Sequence, residues 1–72
     1  PMNFYKACWI TCEKQDVLDE FVRLKSNYIV YDKDESLVFL AQTRGVLQIT
    51  MDNYPDIKFH FTSELNKAVM YA

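Results

Sequence analysis

The sequence predicts an α+β domain, with one small antiparallel-rich sheet, element order β-α-β-β-β-β-α, and helices packed on the sheet. Three observations carry this. Residues 3–12 alternate with period two and are apolar on both faces, residues 13–26 switch to a helical period, and period-two alternation returns from Tyr28 onward. A chain of 72 residues is one domain, and so short a chain buries only about 60 to 65% of the surface its unfolded form exposes. Its composition, 50% hydrophobic and 15% aromatic with a single glycine, excludes a disordered chain. Pro1 precedes Met2, where initiation does not place proline, so it is expected to be an appended residue and the domain to span residues 2–72.

In residues 3–12, Phe4, Cys8, Ile10 and Cys12 share one face and Tyr5, Ala7 and Trp9 the other, as in a central strand. Val17, Leu18, Phe21, Val22 and Leu24 then form a helical stripe, with Asp19 and Arg23 spaced as an i,i+4 ion pair and Asn27 as a left-handed stop. Residues 28–31 read as a short strand, 32–35 as a polar turn and 37–43 as a further strand. Arg44-Gly45 reads as a tight connection. Leu47, Ile49 and Met51 alternate with Gln48, Thr50 and Asp52, the pattern of a strand with one wet face. After a turn at residues 53–56, Ile57, Phe59 and Phe61 alternate inward against Lys58, His60 and Thr62, which makes a meander of the strands from Leu37 onward. Ser63 is expected to cap a final helix over residues 63–72, with a terminal strand as the alternative because Val69-Met70-Tyr71 is β-compatible.

The functional classes narrow on charge and cysteine content. A net charge of −2, from 8 basic and 10 acidic residues without long runs, gives no cationic footprint for a nucleic-acid backbone. No apolar run approaches the roughly 18 residues of a membrane span, no signal peptide is recognisable, and two cysteines are too few for a secreted disulfide scaffold. A cytoplasmic protein is the expectation.

Cys8-Trp9-Ile10-Thr11-Cys12 is the segment closest to a chemical motif. On a strand, residues four apart lie about 13 Å from each other, beyond the roughly 7 Å that a disulfide tolerates, so the two thiols are expected to be packed side chains. Zinc needs more ligands than these thiols and the single histidine, His60, can supply at this spacing. The Asp32-Lys33-Asp34-Glu35 run lacks the glycine and the distant glutamate of a calcium loop. Neither metal, cofactor nor catalytic residue is expected. Cys12 retains one route to reactivity, a place in the first turn of the helix, where backbone N–H groups lower a thiol's pKa.

The more informative feature is an excess of aromatic side chains for so small a body. Once one core is filled, Tyr5, Trp9, Tyr28, Tyr31, Phe39 and Tyr54 remain to be placed, together with Leu37 and Tyr71. Exposed aromatics with arginine mark protein-binding surfaces. The expected site is therefore a partner-binding surface of Tyr5, Trp9, Tyr28, Tyr31, Phe39, Arg44 and Tyr54. The expected function is that of a small adaptor or inhibitor acting on a larger protein, a type at home among viral and mobile-element accessory proteins. Self-association as a homodimer is the first alternative. Single-stranded nucleic-acid binding on the aromatics, or a ligand or enzyme site using Cys12 or His60, is the second.

Overall fold

The structure is a computed structural model that describes residues 4–28, 30–33 and 36–70. Four strands, β1 (Lys6–Thr11), β2 (Val30–Lys33), β3 (Ser36–Ala41) and β4 (Lys58–Phe61), alternate with three helices, α1 (Gln15–Leu24), α2 (Arg44–Asn53) and α3 (Ser63–Met70). The order is β-α-β-β-α-β-α, one strand fewer than the sequence predicts, and the fold is α+β with an antiparallel sheet.

The missing strand is residues 47–51, which lie inside α2. Its alternation of Leu47, Ile49 and Met51 fits a strand, but Val46, Leu47, Thr50, Met51 and Tyr54 also recur at helical spacing. The start of the segment decides between them. Thr43 Oγ1 accepts a hydrogen bond from the Val46 N–H at 3.1 Å, an N-cap that makes Arg44 and Gly45 the first helical residues instead of a turn. Leu47 and Thr50 are then buried, while Ile49 is left 61% exposed.

The strand order is β2-β3-β1-β4, with every neighbouring pair antiparallel. The strands from Leu37 onward therefore do not form a meander, since β4 crosses over to pair with β1. β1 and β2 run parallel with β3 between them, and β3 and β4 run parallel with β1 between them, each pair joined through a helix. This is the split βαβ arrangement of ferredoxin-like domains with one extra helix, an architecture that by itself names no function.

Two clusters fill the two faces of the sheet. On one, Cys8, Ile10, Phe39 and Ala41 pack against Phe21 of α1 and Leu47 of α2. Phe21, Phe39, Phe59 and Tyr54 meet edge to face there, with ring centroids 5.0 to 6.0 Å apart. On the other, Ala7, Val38 and Leu40 pack against Leu65 of α3 and Phe4. Phe4 thus lies opposite Cys8, contrary to simple alternation. Lys6 is in register with Ala41, and the Tyr5 N–H also reaches the Ala41 carbonyl at 2.7 Å, so two residues face one. Such a bulge shifts the phase of every side chain before it.

Other local expectations are corrected. α1 ends at Leu24, ahead of Asn27, and passes through a 3-10 turn at Ser26–Tyr28. Asp19 accepts from Gln15 Nε2 at 2.8 Å, whereas the only ion pair among the described residues joins Lys14 to Asp56 at 3.3 Å. The residues at 63–70 are helical, and the side chain that caps them is Thr62, which accepts from the Leu65 N–H at 3.0 Å. Asp34 and Glu35 of the polar turn, and Tyr71, lie outside the described residues. Among the described residues no helix is long and apolar enough to cross a membrane.

Candidate protein-binding surface

β4 is an edge strand, paired with β1 alone among the described residues. Its free backbone groups can be assigned from one hydrogen bond. The ladder with β1 runs from Thr11↔Lys58 to Cys8↔Phe61, and just past it the Ala7 N–H donates to Asn66 Oδ1 at 2.7 Å. That N–H therefore points away from β3. Residues two apart on a strand point the same way, so Trp9 and Thr11 bond to His60 and Lys58, and the backbone groups of Phe59 and Phe61 face outward.

Exposed apolar side chains flank this edge on both faces. Trp9 is 40% exposed beside α3, and Phe61 is 44% exposed on the α2 side. Phe61 was expected to point into the core, and its face is correct, but it is the last residue of its strand and lies beyond the helical cover. Beside Trp9, round the Thr11 end of β1, a groove of about 500 Å³ is lined by Thr11 and His60 and by Leu37, Leu18 and Cys12, which pack against the larger cluster. Thr11 Oγ1 and His60 Nε2 lie 2.8 Å apart at its rim. The groove brings Cys12 and His60 into one concavity, which their separation in sequence concealed. Cys12 is half-buried and precedes the Lys14 N-cap of α1, so it does not occupy the helix's first turn. Cys8 is fully buried, and burial pushes its thiol up to about 12. Both cysteines are free.

At the other end of β4 is a notch of about 220 Å³ between Tyr5, Lys6 and Phe61 of the sheet and Arg44, Leu47 and Met51 of α2. Lys6 Nζ stands 5.4 Å from the Phe61 ring centroid and 5.9 Å from that of Tyr5.

The seven residues expected to bind a partner do not form one surface. Tyr5, Trp9 and Arg44 are exposed. Phe39 is fully buried at the centre of the larger cluster, because its Cys8-facing side of β3 lies beneath α1 and α2. Tyr28 and Tyr54 are half-buried against the same cluster, with Lys25 Nζ 4.7 Å and 5.7 Å from their ring centroids. Tyr31 is in register with Val38 in β2, and its side chain lies outside the described residues. Sequence reasoning did not place Lys6 or Phe61 at a binding surface, and it singled out His60 only for a ligand or enzyme site. His60 and Phe61 lie on the strand that becomes an edge, and Lys6 reaches the Phe61 ring from neighbouring β1, a relation that exists only once the strand order is known. Among the described residues no three His, Cys, Asp or Glu side chains are grouped to hold a metal ion. No family model matches the chain.

Proposed function

We propose that the chain is a small protein-binding module whose partner engages the β4 edge and the aromatic side chains beside it. The observation that carries this reading is the conjunction of an edge strand that pairs with β1 alone among the described residues with Phe61 exposed on one face of the sheet and Trp9 of β1 on the other. An extended segment of a partner adds to such an edge by main-chain hydrogen bonds, here to Phe59 and Phe61, while alternate side chains face the Trp9 side of the sheet and the notch. Aromatic anchors of this kind supply much of the energy at protein interfaces.

The test is affinity capture from the native host's lysate, read by mass spectrometry, with Trp9→Ala and Phe61→Ala as parallel baits. Both side chains are partly exposed, so the variants are expected to keep a cooperative melt. A protein captured by the parent chain and lost from both folded variants supports the reading. Identical capture by all three baits sinks it.

A second copy of the chain is the alternative occupant, favoured by the symmetry of the edge. Antiparallel self-pairing centred on His60 sets Phe59 opposite Phe61 of the other copy and keeps the faces matched. The edge is only four residues long, which makes such a dimer the weaker reading.

A further inference from the structure

We propose that the notch at the Phe61 end of β4 receives a carboxylate-bearing segment of the protein partner, an acidic side chain beside an apolar one. This rests on the reading of β4 as the binding edge and specifies what binds there. Two cations converge on the notch, Lys6 and Arg44, and neither has a carboxylate within ion-pairing distance among the described residues. They stand together in a chain whose net charge is −2, so the local sign is opposite to that of the whole. Charge complementarity selects an anionic segment.

The site is also preorganised. Lys6 Nζ is held over two aromatic rings, which restricts a side chain that would otherwise lose much entropy on binding. The bulge opposite Ala41 aims Tyr5 at the notch, a common use of bulges near functional surfaces. Arg44 presents a planar fork that matches a carboxylate in two hydrogen bonds. Leu47, Met51 and the Phe61 ring provide an apolar wall for the neighbouring side chain. Phe61 ends β4, so a strand added along that edge runs its terminal side chain into the notch.

The experiment is an amide-resolved NMR titration of the full chain with a blocked hexapeptide, Glu-Glu-Val-Val-Phe-Phe, in which glutamate and an apolar residue two apart share each strand face. The controls are its glutamine counterpart, the glutamate peptide N-methylated at alternate residues, and a thymidine hexanucleotide. Shifts are expected at Lys6, Arg44 and Phe61, with Lys6→Met weakening binding about fivefold, the size of one screened ionic contact, and the glutamine peptide and the charge reversal Arg44→Glu each weakening it by more. Equal binding of the glutamine peptide, or shifts confined to the Trp9 groove, would overturn the proposal while leaving the edge reading standing. Binding of the N-methylated peptide undiminished at Lys6 and Arg44 would uphold the notch and remove strand addition. Displacement of the glutamate peptide by equimolar hexanucleotide would overturn it in favour of nucleic acid.

Discussion

Cys8 shows how one buried side chain ties the fold to solution conditions. It faces Phe39 across the β1–β3 pair, fully enclosed by the larger cluster. Burial raises its thiol from the ordinary 9.0 to about 12, only partly opposed by the nearby Lys6 ammonium. Below pH 9 the thiol keeps its proton whether the chain is folded or not, and stability is complete. Between pH 9 and 12 the unfolded chain gives up a proton that the folded chain retains, so rising pH favours unfolding by about 1.4 kcal/mol per unit. Denaturant titrations at pH 8, 9, 10 and 11 are expected to show this loss in the parent chain. Cys8→Ala removes that component, and equal alkaline slopes in the two proteins would refute it. The packed state of Cys8 was legible from strand alternation alone. The groove shared by Cys12 and His60 was not, because it depends on the register of β4 against β1.

Helix α2 illustrates the limit of periodicity at the scale of an element. Residues 46–54 satisfy two patterns at once, and the deciding information lies at Thr43, whose hydroxyl caps the helix. The two assignments make opposite demands on Ile49. As a strand residue in phase with Leu47 and Met51 it would be buried, whereas on α2 it faces solvent. Ile49→Ala is therefore expected to change stability by less than about 0.5 kcal/mol, aided by the higher helix propensity of alanine. Leu47→Ala, by contrast, leaves a cavity in the larger cluster and is expected to cost about 2 to 4 kcal/mol. Paired chemical melts measure both, and a cost for Ile49→Ala equal to that for Leu47→Ala would contradict the helix. β1 and α1 were readable because each satisfies one period only. The bulge that reverses Phe4 leaves no such trace, since a single extra residue is invisible until the partner strand is known.

For the molecule as a whole, the aromatic excess is resolved by two packed faces in place of one core and a wet side. Phe21, Phe39, Phe59 and Tyr54 account for one face, and α3 covers part of the other through Leu65. Local patterns gave no means of choosing among the several sheets that the same elements could build, so the β1–β4 pairing and the edge it creates were beyond reach. The two faces are unequal in strength. α3 is eight residues long, too short to persist unaided, and it is held by Leu65 and by the Asn66 bond to the Ala7 N–H. It is therefore expected to undock before the sheet unfolds. Native-state hydrogen exchange checks this. Amides of Lys67 and Ala68 should exchange with a lower opening free energy and a weaker dependence on denaturant than the amide of Phe39. Asn66→Ala strands a buried N–H and should lower the α3 opening energy by a further 1 to 3 kcal/mol, in order of magnitude about 5- to 150-fold in exchange rate. Equal opening energies and slopes for α3 and β3 would mean that the helix and the sheet unfold as one unit, and that the Trp9 side of the β4 edge is as rigid as the core.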